Sequence, residues 1–411
     1  MLRTLAHARF RLLLAAVLAL AAVARSWQLA SESFANMSDY RGYFLSASGI
    51  AWRGVSPYHP LPLAPPGTFL VGVVSSIDTP SFLMLFWPWT VMPDEFGRLV
   101  WIALEVVAVA ATLLAVYRGI GRPTAAEVLV AASLLVFFPP LRDSFHEGQV
   151  SIFIGLALAL ALLAHQRGRS WAGGAVLGLA IAIKLSPILV LPYFLYRRDW
   201  RLCLAAIGSA GVISLATAAA GWLSYWPAFA ADIASISGGT ANVLNQSLNG
   251  VLLRLTHADF SGLPIASTGV GFRVLWLAAQ AAVIVAIAAI VRRGRLAGPE
   301  RLWTEYACIV LLLPLVQPFA WEHHFAQAIL VVPVAVHLAS RGRLGLVAAA
   351  VLAAAFAADL LLAYPGFVAA VAAGPAGLAN SPALQVAASV TTIAVVAAAT
   401  ALATARKPSR A

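Results

Sequence analysis

Charge is what this 411-residue chain has least of. Asp, Glu, Lys and Arg together make up 10% of it, against about 25% in soluble globular proteins. No hydrophilic stretch is long enough to form a separate soluble domain. Acid is scarcer than base, with 16 Asp and Glu against 27 Lys and Arg. There are only two cysteines, Cys203 and Cys308, each inside an apolar run. That excludes a disulfide framework and a cysteine-based metal site. No internal repeat is visible. What fills the chain is hydrophobic, 61% of residues, in recurring runs of roughly 20. The alternating ten-residue segments of a membrane barrel are missing. In lipid only a helix or a closed barrel satisfies its own backbone, so the sequence reads as an all-α polytopic membrane protein.

The net charge of +11 would by itself suit nucleic acid or an anionic surface. Its distribution points to topology instead. Basic clusters punctuate the apolar runs: Arg3/Arg9/Arg11, Arg118/Arg122, Arg167/Arg169, Arg197/Arg198/Arg201, Arg292/Arg293/Arg295/Arg301, Arg341/Arg343 and Arg406/Lys407/Arg410. Basic residues between spans collect on the cytoplasmic side. With every cluster inside, consecutive clusters are joined by even numbers of crossings. Spans are then expected at 12–30, 97–117, 124–141, 149–165, 203–222, 270–291, 303–317, 325–340, 344–364 and 384–405. The run WAGGAVLGLAIAIKLSPILVLPYFLY between Arg169 and Arg197 must turn back on itself, near Lys184-Leu185-Ser186-Pro187. Each arm then rises only about 18 Å, short of a bilayer core of about 30 Å, which is tolerated where a broken helix lines a cavity. The count comes to about twelve transmembrane helices, within a range of roughly ten to thirteen, with both termini cytoplasmic. The segment LLLAAVLALAAVA after the first arginines fits either an uncleaved first span, the reading taken here, or a signal peptide cut after Ala22-Val23-Ala24. Both put residue 31 outside. The chain is expected to be one transmembrane domain over 1–411, with outer loops 31–96, 142–148, 223–268, 318–324 and 365–383. The first of these is long, rich in proline and aromatics, and carries an interfacial segment at 81–93.

Sorting polar residues by side separates the two faces. The inner face holds almost only arginine. The outer face collects Asp39, Arg41, Arg53, His59, Arg142, Asp143, His146, Glu147, Gln149, Lys184, Asn245, Gln246, Asn249, Arg254, Glu322, His323 and His324. Ionisable groups at membrane depth cost about 2.5 to 3.5 kcal/mol at a helix centre and mark function by default. A mixed acid, base and amide set on one side suits a polar, charged substrate. Asp39, with Tyr40, Arg41 and Tyr43 close by, is either a general base for a hydroxyl or a loop aspartate paired with Arg41. Lys184, in an apolar turn, either holds a phosphate or snorkels to the surface. Arg142, His146 and Gln149 in RDSFHEGQ suit a phosphate or a sugar, unless this is a solvated turn capped by Asp143. Trp321, Glu322, His323 and His324 in QPFAWEHHF suit a sugar or acid–base work. Adjacent helical histidines diverge, so this pair is not expected to share a metal. In NQSLNGVLLRL, Gln246 and Asn249 suit hydroxyls and Arg254 a phosphate, or the segment is a plain amphipathic helix.

In order and spacing these segments resemble glycosyltransferase family 87. The resemblance runs from Asp39 to His324. It is carried by Asp39 followed by Gly54-Val55-Ser56-Pro57-Tyr58, a proline- and aromatic-rich segment, HEGQVS, AIKLSPILVLPYFLYRRDWR, NQSLNGVLLRL and PFAWEHH. Ser151 departs from it, standing where Asn is expected. The resemblance implies a GT-C-type fold and transfer of a sugar, mannose first, from a polyprenyl-phosphate donor. The acceptor would be a lipid-linked or cell-envelope glycan at the outer face of a bacterial cytoplasmic membrane. It implies Asp39 as catalytic base of an inverting reaction. It implies Lys184 near the donor phosphate, with Arg254, Arg142, His146 and Gln149 as further candidates there. His323, His324, Glu322, Gln246, Asn249 and Tyr58 are the candidates for sugar or acceptor. Neither a cofactor nor a metal is expected, and no nucleic-acid partner. The alternatives are arabinofuranosyl transfer by the same mechanism and a twelve-span secondary transporter, which would need a midplane site open to both sides.

Overall fold

The structure is a computed structural model that describes residues 20–26, 28–29, 31–58, 76–256 and 268–406. Most of the expected first span, His59 and the prolines at 60, 62, 65 and 66 lie outside the described residues, as does 257–267. Among the described residues the chain is helical, and its only strand-like pairing is an isolated bridge between Arg295 and Arg406.

The segment before the first long span includes a π turn at Tyr40–Leu45, followed by α1 (Ser46–Trp52) and α2 (Pro80–Leu85). Then comes α3 (Asp94–Ile120), the first long span. The helix expected over 124–141 is two, α4 (Ala125–Val136) and α5 (Pro139–Glu147), bent by 57°. Pro139 and Pro140 carry no N–H to continue α4, and both sit where a helix begins. Next are α6 (Ser151–Gln166) and α7 (Ser170–Ile183). Lys184 is extended (φ −144°, ψ 128°), and the chain resumes as a 3-10 turn, Ser186–Val190, then α8 (Leu191–Tyr196). Pro187 and Pro192 account for that break. The chain continues through α9 (Trp200–Ala219), α10 (Tyr225–Ile236), α11 (Leu248–Thr256), α12 (Val270–Arg293) and α13 (Gly298–Leu312). A 3-10 stretch, Glu322–Leu330, leads into α14 (Val331–Ser340). α15 (Leu346–Asn380) and α16 (Val390–Ala403) complete it.

Asp94–Ile120, Trp200–Ala219, Val270–Arg293 and Glu322–Ser340 are each long and apolar enough to cross a membrane, and the bent α4–α5 pair adds a fifth candidate. The remaining apolar helices are shorter. The chain is therefore polytopic and all-α. The outer loop expected at 365–383 is corrected: the backbone stays helical to Asn380 despite Pro365 and Pro375. A proline forfeits a single helical bond, which membrane helices tolerate. The loop expected at 223–268 likewise contains α10 and α11.

Helix packing follows small residues. On α7, a Cβ at Gly174 would overlap Leu202 O, and one at Gly178 would overlap Ala206 O and Ser209 Oγ, all on α9. The two backbones meet because neither glycine has a side chain, the small-xxx-small logic of membrane helices. Gly178→Leu is expected to destabilise by about 1 to 3 kcal/mol, as overpacking does. A lowered thermal midpoint in detergent would show it. Cys203 and Cys308 are buried and free.

A second packing feature places the segment before α3. Tyr40, Phe44, Phe82, Phe86 and Trp101 are buried together, with ring centroids 5.4 Å apart for Tyr40–Phe86, 4.8 Å for Phe44–Phe82 and 5.3 Å for Phe86–Trp101. Edge-on aromatic pairs of this kind add about 0.5 to 1.5 kcal/mol each beyond area burial. Arg41 donates to Asp94 Oδ2 at 2.9 Å, and Arg98 donates to Phe34 O. Both contacts fasten this segment to the start of α3, at Phe34 and at Arg41, and so hold Asp39, which lies between those two residues, in place.

Candidate active site

Three chain segments converge on Asp39. The first is its own turn. Met37 has φ 46°, and its N–H donates to His146 O at 2.9 Å. Gly148 closes α5 with φ 70°. A Cβ there would come within 2.7 Å of Tyr40 Cβ and 2.8 Å of Met37 Cε. Only glycine serves here, because it meets both the left-handed backbone and the close approach. With the two turns in contact, Gln149 Nε2 donates to Asp39 Oδ2, and Ser38 Oγ donates to Glu147 Oε2.

The second segment brings the cation. Thr79 caps α2, its Oγ1 accepting from Phe82 N at 3.1 Å. The same hydroxyl donates to Ala182 O and, at 3.3 Å, to Ile183 O. These are carbonyls left without partners where α7 stops. The contact sets Asp78, one residue before Thr79, beside Lys184, one residue after Ile183. Tyr58 Oη donates to Asp78 O at 2.7 Å. Among the described residues no carboxylate lies within 4 Å of the Lys184 ammonium, yet Asp78 and Asp39 are the charges it faces.

The third segment is the turn at 317–324. Asn245 Nδ2 donates to Pro318 O at 3.0 Å, and Ala320 N donates to Asn245 Oδ1 at 3.0 Å. Gln246 N donates to Ala320 O at 2.7 Å. Held so, the turn presents His323, whose backbone N–H donates to Asp143 Oδ2 at 3.0 Å while Nδ1 lies 3.1 Å from the same oxygen. The ring is thereby oriented, and Nε2 has no protein partner among the described residues.

These segments enclose a cavity of about 610 Å³. Asp39, Asp78, Asp143, Glu147 and Glu322 line it, with Lys184, His323, His324, Gln149 and Tyr43. Its lining also includes the apolar Ile183, Leu185, Ile188, Leu189, Ile233 and Leu244. Burial raises the Asp39 carboxyl above its ordinary range. His323 and the Gln149 hydrogen bond pull it down, and Asp143 pushes it up. Burial also raises Asp78, against the pull of Lys184. Among the described residues no three His, Cys, Asp or Glu side chains are arranged to hold a metal ion.

The residues singled out from sequence divide into three groups. Asp39, Lys184, Gln149, Glu322, His323 and His324 share the cavity. Arg142 and His146 line a smaller neighbouring one. The other four are not at the cavity surface, which corrects the expectation for them. Arg254 is buried and donates to Asn242 O and Asn245 O, both at 2.9 Å, and to Ser389 Oγ at 3.1 Å. Its charge satisfies loop carbonyls instead of facing a ligand. Gln246 Nε2 donates to Ala388 O at 2.7 Å and Val243 O at 2.8 Å. Asn249 is buried against Gly239. Tyr58 supports Asp78 from behind. Sequence reasoning missed Asp78. The signal was available: it is one of few acids and stands directly before a Thr-Pro helix start.

The profile of glycosyltransferase family 87 matches residues 77–318. A polyprenol-phosphate-mannose-dependent alpha-(1-2)-phosphatidylinositol mannoside mannosyltransferase of Mycolicibacterium smegmatis is 31% identical over 222 residues, covering 52% of this chain and 48% of the relative. A pentamannoside mannosyltransferase of the same type and species is 24% identical over 342 residues, covering 79% of this chain and 75% of the relative. The chain thus spans about half the length of the first relative and three quarters of the second. The crystal structure of ArnT from Cupriavidus metallidurans in the apo state aligns at a TM-score of 0.44 and 14% identity, covering 93% of this chain and 76% of that one. The family match covers more than half of the chain and takes in Asp78, Gln149 and Lys184, while Asp39 and His323 lie outside the matched stretch: this chain belongs to glycosyltransferase family 87.

Proposed function

We propose that the chain is an inverting GT-C-type enzyme. It transfers a sugar from a polyprenyl-phosphate donor to a lipid-linked or envelope glycan at the outer face of the cytoplasmic membrane. The observation that carries this reading is the meeting of Asp39 and Lys184 in one cavity that also has apolar lining residues. The apolar lining suits a prenyl chain, Lys184 its phosphate, and Asp39 the incoming hydroxyl. Mannose is preferred to arabinofuranose because the family relatives are named for mannose transfer. A phosphatidylinositol mannoside is the first acceptor to try for the same reason. The transporter reading gives way to the family.

In this reaction Asp39 Oδ takes the proton of the acceptor hydroxyl. The oxygen attacks the anomeric carbon as the bond to the phosphate oxygen breaks on the opposite face, inverting the centre. The departing polyprenyl phosphate gains negative charge, which a preplaced cation stabilises; Lys184 is placed to do so. His323, oriented by Asp143, offers Nε2 to the sugar hydroxyls. Because a sugar phosphodiester already has a competent leaving group, neither a metal nor another cofactor is assigned a role. Incubating the purified protein with a panel of polyprenyl-phosphate sugars, and following transfer and free-sugar release, tests the proposal. No reaction with any donor would sink it.

A pH dependence follows. Asp39 must be ionised to accept a proton, and its carboxyl is raised by burial. Activity is therefore full above that raised pKa and falls as pH drops through it, so the acid limb of kcat/KM lies above the ordinary aspartate value of about 3.9. Gln149→Leu removes a hydrogen bond to the charged form and is expected to move the limb to still higher pH. A limb that stays in place would mean that Asp39 is not the titrating group.

A further inference from the structure

The second cavity, of about 360 Å³, has no role in the mechanism above. It shares Asp143 and Glu322 with the first, so the two are neighbouring compartments of one site. Their order can be read from the linings. Asp39 and Lys184 line the first cavity and not the second, and the two cavities adjoin at Asp143 and Glu322. The second cavity therefore opens from the Asp143 and Glu322 part of the site.

An inverting transfer needs the leaving phosphate and the attacking hydroxyl on opposite faces of the anomeric carbon. With the phosphate at Lys184, the acceptor approaches from the Asp143 side. We infer that the second cavity is the acceptor subsite, holding the neutral sugar of the acceptor that bears the attacking hydroxyl. This rests on the function proposed above and adds the acceptor's place and chemical class.

The lining decides the class. Arg25, Arg142 and His146 line the cavity together with four acidic side chains, Glu32, Asp143, Glu322 and Asp359. Arg142 already lies 3.6 Å from Glu32, and Asp359 accepts from Thr391 Oγ1 at 2.7 Å. An anionic headgroup would be repelled by each of these acids that is ionised. A neutral sugar would not be, and its hydroxyls can donate to acidic oxygens and accept from guanidinium groups. Phe137, Val136 and Leu360 add an apolar wall for the C–H face of a sugar ring. The volume lies at the lower end of ligand pockets, roughly 300 to 1,000 Å³, which fits a terminal sugar and not a whole lipid.

Steady-state kinetics with polyprenyl-phosphate mannose as donor and a phosphatidylinositol mannoside as acceptor test the subsite. Val136→Trp fills the cavity without touching its polar ties, and Glu32→Gln changes one half-exposed acceptor group. Both should raise the acceptor KM, Val136→Trp by about tenfold or more, while the donor KM does not move. An unchanged acceptor KM in both, or a donor KM that rises in step, overturns the subsite. Monodisperse elution and an unchanged thermal midpoint confirm that each variant is folded. If the parental protein neither transfers nor hydrolyses this donor, the proposed function falls instead. Calorimetry with the deacylated mannoside then decides the subsite alone: binding to the parent that Val136→Trp weakens supports it, and no binding to the parent overturns it.

Discussion

Asp39→Asn removes sugar transfer, lowering kcat by at least the 10² to 10⁴-fold that general-base catalysis typically supplies. The variant keeps the shape of the side chain and an oxygen that can accept from Gln149 Nε2. It loses the basicity together with the negative charge. The turn that carries it is fixed by Gly148, by the Met37 N–H on His146 O and by the Tyr40–Phe44 cluster, none of which involves the carboxylate. Expression, membrane insertion and thermal midpoint should therefore match the parental protein. Affinity for the donor should change little, since a base acts on the acceptor. Full activity in this variant would remove Asp39 from the chemistry.

Lys184→Met is expected to be the second largest loss, about 10² to 10³-fold in kcat, the usual effect of deleting one preorganised electrostatic group. Methionine keeps an unbranched stem in the apolar surroundings of Leu185 and Ile188 and deletes the charge. Two carboxylates, Asp39 and Asp78, then face the donor phosphate uncompensated. The double variant Lys184→Met/Asp78→Asn should accordingly recover part of the loss, because the two side chains interact and their effects do not add. Lys184→Arg should fall between the two, since it restores charge with a forked group of different reach. Turnover near the parental level in Lys184→Met would place the phosphate elsewhere in the cavity.

Some of the site was legible early because membrane proteins leave few polar residues to choose from. In a chain with 16 acids, Asp39 stood out by its position after the first span, and Lys184 by sitting in an apolar break. His323 and His324 were found by the same reasoning. Arg254 shows the limit of that reasoning. It is a cation on the same face as Lys184, in a stretch as polar as any other, and its sequence resembles a ligand-binding segment equally well. Its place was decided by unpaired carbonyls at Asn242 and Asn245, which exist only once the loop has folded. Gln246 went the same way. Asp78 was missed for the converse reason: its relation to Lys184 runs through Thr79 and the frayed end of α7, across more than a hundred residues of chain.

The sequence by itself determined the class of solvent, the helical character of the chain and the break at Lys184. Those follow from local quantities: run length and proline position. Only the tertiary structure decided which polar groups face a ligand and which face each other. A buried polar group takes the nearest available partner, and nearness is set by packing. Gly148 against Tyr40, Gly178 against α9 and Thr79 against the end of α7 bring Asp39, Gln149, Lys184 and His323 to one cavity, while the same folding turns Arg254 away from it.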